Sequence, residues 1–440
     1  MSDVVSKVQQ AWAIPIPERK DPPALLRTAT FAVFFNASII LTNLTQFIAS
    51  PLYILPITRP LYESAIAYTK LGFGRLIVAI SQLFGPTRLV ITYQREDGSV
   101  GDANEILRRD KKGAFQGLQL PSKSVWMSNH QVYTDWLYLW NVAYFADLAD
   151  SIIIILKDSL KWIPFVGWGM IFFRFIFLSR SWSKDQATLG RHLRFMSSGA
   201  NTKRSTASKL LLLIFPEGTL VSKLTRPTSR AFAEKQRFAD CRNLLLPRST
   251  GILFCLRELL AQTPDLKLVD FTIGYPGIPP AGYGQSYYTL RSIFMQGVSP
   301  PYVHLHLRVS DAQSVPLGVV TPIKNSSGEM TGVQDATDEE KAAFDVWLRE
   351  DRWRKKDDLM DRFYRDGDFV GGRHKRERQQ ATGVDNSAGK EIYVAKDSSY
   401  VEIPVHLRGL REIGDLFCWF TPVFASFASW HAYQYLARRS

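Results

Sequence analysis

Apolar residues along this chain fall into long runs at both ends and short, punctuated runs in the middle. From Thr28 to Leu55 there is no Asp, Glu, Lys or Arg. As a helix, that stretch is long enough to cross the roughly 30 Å of a bilayer's hydrocarbon. A polar arm, residues 1–27, precedes it with Arg19, Lys20, Asp21 and Arg27, and the run is too long for a signal peptide. The next apolar stretch, Leu61 to Phe84, is broken by Glu63, Lys70 and Arg75. It reads as an interfacial or re-entrant helix pairing with the first, so 28–84 is expected to be a pair of membrane-associated helices. The sequons at Asn36 and Asn43 lie inside this apolar region and are not expected to be glycosylated.

Between Leu89 and about Tyr275, strand and turn signals alternate with helical patterns, which predicts an α/β unit. Strands are expected at Arg88 to Tyr93, Val125 to Ser128, Ile152 to Leu156, Ile176 to Leu178 and Leu210 to Phe215. Several are continuous apolar runs, as in central strands covered on both faces. The fold class is α/β, a mixed sheet flanked by helices over residues 85–320. Lys157 to Phe177 is rich in Trp and Phe but interrupted by Pro164, Gly167 and Gly169. It fits a helix dipping into the membrane interface or a buried core helix. Residues 321–400 are expected to form a charged helical region and a disordered linker, with Asp366 to Ser399, poor in hydrophobics, as a disordered linker or loop. The C-terminal segment, 401–440, holds the apolar run Ile413 to Leu436, a second span or an interfacial helix. No internal repeat is present.

Composition narrows the class. The chain has 440 residues, 46% of them hydrophobic and 12% aromatic, with 54 Lys plus Arg against 41 Asp plus Glu and a formal charge of +13. That balance suits an anionic partner, whether nucleic acid, an acidic membrane surface or a phosphorylated substrate. No zinc-ligand spacing and no RNA-binding signature occur, so the membrane and phosphate readings lead and no nucleic-acid partner is expected. The three cysteines, Cys241, Cys255 and Cys418, are widely spaced and indicate neither a disulfide framework nor a metal site.

The candidate chemistry lies between Asn129 and Gly251. Asn129-His130-Gln131-Val132-Tyr133-Thr134-Asp135-Trp136 places an aspartate five residues after a histidine. On a continuous helix such residues lie about 140° apart, so a His–Asp contact needs a bend. Val125-Trp126-Met127 reads as a strand end and Ser128-Asn129 as a turn. Trp136, Leu137, Trp140 and Tyr144 then recur at helical intervals. His130 is thus expected on a strand-to-helix turn and Asp135 in the first helical turn, at the positive end of the helix dipole. Free imidazole, with a pKa of about 6.5, accepts protons near neutrality. A carboxylate on its other nitrogen fixes the tautomer. A lone pair of this kind also fits a structural histidine, so the neighbouring strings matter. Phe215-Pro216-Glu217-Gly218-Thr219 ends a strand in a sharp turn, where a carboxylate can bond a substrate hydroxyl and backbone amides can hold an anion. Phe177-Leu178-Ser179-Arg180 presents an arginine, a natural phosphate grip. Leu246-Pro247-Arg248-Ser249-Thr250-Gly251 adds another beside a helix start.

These four strings, in this order, resemble the four motifs of the glycerolipid acyltransferase superfamily, which includes the 1-acylglycerol-3-phosphate acyltransferases. The resemblance covers roughly Leu89 to Gly277. It implies an acyl-CoA-dependent O-acyltransferase moving a fatty acyl group to a free glycerol hydroxyl of a lysophospholipid, with acyl-CoA as co-substrate and neither cofactor nor metal. His130 and Asp135 would be the catalytic pair. Arg180, Glu217, Gly218 and Thr219 would bind the glycerol-phosphate part, and Arg248 would help form the acyl-CoA side. Ser229 to Lys235 and Val269 to Gly277 look like the eukaryotic branch of lysocardiolipin and lysophosphatidylinositol acyltransferases. Two positions depart from the pattern of lysophosphatidate enzymes: Leu220 stands where an arginine is frequent, and Ser179 where an acid is frequent.

The expected reaction is direct transfer. His130 takes the hydroxyl proton as the oxygen attacks the thioester carbon and returns it to the departing CoA sulfur. No acyl-enzyme is required, and backbone amides near the His130 turn are candidate oxyanion donors. Lysophosphatidate is the first expected acceptor, with lysophosphatidylinositol or lysocardiolipin remodelling as the alternative. Further readings are a CoA-independent transacylase or lipid hydrolase, and a non-catalytic membrane scaffold. The expected location is a membrane, that of the endoplasmic reticulum.

Overall fold

The protein is described by a computed structural model that covers residues 11–20, 24–179, 181–201, 209–381 and 391–418. Two long helices open it, α1 (Leu25–Ala49) and α2 (Arg59–Phe84), packed side by side. The strands that follow are β1 (Arg88–Gln94), β2 (Leu107–Arg109), β3 (Phe115–Leu118), β4 (Lys123–Ser128), β5 (Ile152–Lys157), β6 (Ile176–Leu178), β7 (Leu210–Ile214), β8 (Lys267–Gly274), β9 (Tyr302–Asp311), β10 (Pro322–Lys324), β11 (Met330–Val333), β12 (Tyr393–Val394) and β13 (Val401–Pro404). Nine of them form one sheet in the order β12-β13-β1-β9-β8-β4-β7-β5-β6, while β2-β3 and β10-β11 are small separate pairs. The five strands from β8 to β6 are mutually parallel. The strand pair β8/β9 is antiparallel, which makes the sheet mixed.

The apolar runs form central strands because both of their faces are covered. Alternate residues enter opposite cores. Trp126, Leu211 and Leu213 join a cluster with Leu76, Ile77 and Ile80 of α2 and with Leu137 and Trp140 of α3 (Asp135–Phe145). Val125, Met127, Leu210 and Leu212 join a second cluster. That one includes Leu189 and Leu193 of α5 (Trp182–Asn201) and Leu256 and Leu259 of α7 (Ser249–Leu260). Between them in the chain lie α4 (Val166–Phe172) and α6 (Thr225–Gln236). A further helical stretch, α8 (Asp338–Val346), a π-helical segment (Trp347–Arg354) and α9 (Lys355–Asp366), closes the second core with Phe344, Trp353 and Met360.

Several boundaries differ from expectation. Residues 11–18 of the polar arm form two short 3-10 turns, and Trp12 and Ala13 lie against Gly277. The second apolar helix does pair with the first, yet its C-terminal half is protein core: Leu76, Ile77, Val78, Ala79 and Ile80 are at most 2% exposed. Its charges are absorbed by distant partners, Arg75 by Glu412 and Asp415, and Glu63 by Arg174. α1 with the turn after it, Leu25–Tyr53, is long and apolar enough to cross a membrane. The Lys157 to Phe177 stretch breaks into a 3-10 turn (Asp158–Trp162), α4 and β6. It lies against α1 through Phe47, which meets the rings of Trp168 and Phe172.

The stretch expected to be disordered, Asp366 to Ser399, carries α10 (Arg373–Ala381) and β12. Buried His374 holds α10 by bonding Glu402 of β13 at 3.0 Å. The sheet therefore extends past residue 320, since β13 pairs with β1. A last short helix, α11 (Arg411–Leu416), rests on α2. Of the C-terminal apolar run, residues 419–436 lie outside the described residues.

Candidate active site

Parallel strands end along one edge of the sheet, and ligand sites in open α/β sheets form beyond the carboxyl ends of such strands. Here the ends of β4, β7 and β8 lead into His130, into Phe215 to Glu217, and into Tyr275. Met127 is paired with Ile214, and Ser128 with Phe271. Asn129 pins this edge: its Nδ2 donates to Ile273 O at 3.0 Å and its Oδ1 accepts from Ile273 N at 2.8 Å. As expected, the chain leaves β4 at Ser128, turns through His130, and enters α3 at Asp135.

Asp135 is fully buried, and four donors replace water around its carboxylate. His130 Nδ1 lies 2.7 Å from Oδ2. The same oxygen accepts from Gln131 N at 2.7 Å and Val132 N at 3.0 Å. Oδ1 accepts from the Tyr275 hydroxyl at 2.5 Å. Burial and the neighbouring Asp135 charge push the Tyr275 phenol well above its ordinary range, so it stays a donor. With Nδ1 turned to the carboxylate, Nε2 is the ring nitrogen left for a substrate. The His130 side chain keeps 19% of its exposure, and its ring stacks on Phe215 at 4.3 Å.

The second string folds differently from its expected use. Glu217 is 2% exposed and turns inward. Its Oε1 accepts from His130 N at 3.2 Å and its Oε2 from Leu245 N at 3.3 Å. Burial pushes its carboxyl up to about 8, against the pull of those two amides and the Lys356 charge. Gly218 has φ +71, a left-handed conformation that glycine adopts without strain, and it is exposed beside Arg248. A Cβ placed there would lie 3.5 Å from Arg248 Nε. Thr219 is half-buried in the same turn. Arg248 is exposed, its backbone N–H held by Pro216 O at 2.8 Å. Gly218 and Arg248 are therefore together at the surface. Arg180 lies outside the described residues. Before it, Ser179 bonds Asp185 through both N and Oγ, at 2.9 and 2.8 Å, so an acid from the next helix stands close to where the sequence lacks one.

The amides of His130, Gln131 and Val132, expected as oxyanion donors, are already committed to Glu217 and Asp135. Sequence reasoning did not single out Tyr275, Asn129 or the close approach of Gly284, where a Cβ would meet Gln131 O at 2.3 Å. The only sequence signal for Tyr275 was its place within the Val269 to Gly277 string.

A histidine oriented by a buried carboxylate, on a strand-to-helix turn with an open ring nitrogen, has the geometry to accept a proton from a bound hydroxyl. The family model described as Acyltransferase matches residues 114–275, the stretch that holds every site residue above except Gly284. An uncharacterized acyltransferase of Schizosaccharomyces pombe is 31% identical over 346 residues, covering 79% of this chain and 87% of that protein. The 2-acyl-1-lysophosphatidylinositol acyltransferase of Saccharomyces cerevisiae is 35% identical over 329 residues, covering 69% and 76%. Lysocardiolipin acyltransferase 1 of Danio rerio is 29% identical over 242 residues, covering 55% and 53%. Among solved structures, the 1-acyl-sn-glycerophosphate acyltransferase of Thermotoga maritima aligns over 77% of this chain and 98% of that one, at 14% identity and a TM-score of 0.37. The chain belongs to the acyltransferase family.

Proposed function

We propose that this protein transfers a fatty acyl group from acyl-CoA to a free glycerol hydroxyl of a lysophospholipid, with His130 as the base. The observation that carries this reading is the 2.7 Å contact between His130 Nδ1 and buried Asp135. The acceptor's hydroxyl hydrogen moves to Nε2 while its oxygen bonds the thioester carbon. The carbon–sulfur bond then breaks, and Nε2 returns the proton to the CoA sulfur. Asp135, bonded by Tyr275 and two amides, stabilises the imidazolium between the two transfers. Glu217 acts from behind by holding the His130 backbone. Gly218 and Thr219 bind the glycerol-phosphate part of the acceptor, with Arg180 as a further phosphate ligand, and Arg248 beside Gly218 helps form the acyl-CoA side.

Among acceptors, lysophosphatidylinositol moves ahead of lysophosphatidate. The support is the 35% identity to a yeast enzyme named for that substrate, together with Leu220. That side chain is 8% exposed and offers no guanidinium to a bare phosphate. The protein works at a membrane, and its acyl-CoA points to the cytosolic face of the endoplasmic reticulum. The test is labelled acyl-CoA with a panel of lysophosphatidylinositol, lysophosphatidate and lysocardiolipin. Transfer to lysophosphatidylinositol at the highest kcat/KM is expected. Transfer to none would overturn the reading, and a preference for lysophosphatidate would overturn the acceptor.

A further inference from the structure

The family match ends at residue 275, but the contacts that hold Glu217 continue into α9, more than 130 residues further along the chain. Two adjacent side chains there, Lys356 and Asp357, are 3% and 2% exposed in a helix that is otherwise highly charged. Asp357 spans two backbone amides of the loop before Arg248: Oδ2 accepts from Arg242 N at 2.7 Å and Oδ1 from Asn243 N at 2.8 Å. The next turn of the helix repeats the grip, with Asp361 Oδ1 accepting from Asn243 Nδ2 at 2.9 Å. From Asn243 the chain of bonds runs inward. Its carbonyl accepts from Gln131 Nε2 at 3.4 Å, and two residues on, Leu245 N donates to Glu217. Glu217 in turn holds His130 N. Lys356 reaches the neighbouring strand, where its ammonium bonds Asp270 and the Phe271 carbonyl of β8.

We propose that Lys356 and Asp357 are positioning residues, a rear clamp that sets the Glu217 carboxylate and, through it, the His130 turn. Asp357 fixes the 242–246 loop that offers Leu245 N–H to Glu217, and Lys356 supplies the positive charge behind that carboxylate. A buried carboxylate spanning two consecutive amides is a costly arrangement unless those amides have to be held. This inference rests on the proposed role of His130.

The charged and titratable groups acting on Glu217 come from three directions: His130 on its turn together with Asp135 of α3, Cys241 at the start of the held loop, and Lys356 of α9. Asp135 works against ionisation and Lys356 for it.

The test uses the full chain in detergent micelles, with folding checked by thermal melting. Asp357→Ala should speed amide exchange in the 242–246 loop about tenfold. It should also lower kcat roughly tenfold to a hundredfold with the acyl-CoA KM little changed. Lys356→Met, which frees Asp270 and the Phe271 carbonyl, should speed amide exchange in that part of β8 and in the 242–246 loop. Asp358→Ala, at the exposed next position, should change none of these. Should Asp357→Ala not fold, the isosteric Asp357→Asn is read in its place. Wild-type exchange in the folded Asp357 variant, or in Lys356→Met, overturns the clamp. The exchange readout needs no substrate, so a chain that acylates no lysophospholipid would overturn the function and leave this result to be judged separately.

Discussion

At the scale of the residue, a histidine becomes a directional base when its far nitrogen is held, and here one carboxylate oxygen holds both that nitrogen and the two amides following it. Asp135→Asn would offer a donor where three donors already converge. It should lower kcat about 10²–10⁴-fold while leaving the fold intact, as read by acyl transfer alongside thermal melting. Glu217 makes a second prediction, about stability. Burial raises its carboxyl from an ordinary 4.5 to about 8. The folded state therefore binds more proton than the unfolded state between those values. Its contribution is fully present below about pH 4.5 and is lost as pH rises towards 8. Glu217→Gln lacks this titration, so wild-type stability measured against the variant should decline from pH 5 to pH 8, and a rise would contradict the assignment. The His130–Asp135 pair was legible because a five-residue offset only makes sense across a bend. Tyr275 was not, because its bond to Asp135 crosses 140 positions. Glu217 was legible as a site residue but not its orientation, since nothing local reveals that the amide of Leu245 waits behind it.

At the scale of the element, the strands were legible and the second helix was half so. Continuous apolar runs such as Leu210 to Ile214 can hardly be anything but central strands, and β4, β5, β6 and β7 lie within two residues of their expected bounds. For α2 the charges misled. Glu63, Lys70 and Arg75 suggested an interfacial helix, but Glu63 and Arg75 pair with Arg174, Glu412 and Asp415, and Lys70 is buried. Those partners lie more than 100 positions away and are invisible to periodicity. Gly74 tests the correction. A Cβ there would sit 2.9 Å from both Ala149 Cβ and Trp140 Nε1. Gly74→Ala should therefore destabilise by about 1–3 kcal/mol, seen as a lower melting temperature. On a lipid-facing helix the same change would stabilise by up to about 1 kcal/mol through helix propensity.

At the scale of the whole molecule, exposed Phe47 of α1 meets exposed Trp168 of α4 edge to face, and Trp162, in the turn before α4, is 76% exposed. Exposed aromatics of this kind suit a protein whose acceptor stays in the bilayer. Trp162→Glu with Trp168→Glu should weaken association with vesicles and raise the KM for lysophospholipid while sparing the KM for acyl-CoA, measured by flotation and by steady-state kinetics. The order of the described residues after 366 was not legible, because low hydrophobicity is a weak guide where ion pairs do the holding: Glu402 alone meets Arg88, His374 and Arg378; residues 382–390 lie outside the described residues. What joins all three scales is the claim that His130, aimed by Asp135, moves a proton between a lysolipid hydroxyl and a CoA sulfur. The most direct measurement is transfer of labelled acyl groups from acyl-CoA to lysophosphatidylinositol in vesicles, by the wild-type chain and by folded His130→Ala. The account predicts labelled phosphatidylinositol from the wild type and a loss of about 10²-fold or more in the variant. Full activity in His130→Ala would contradict it.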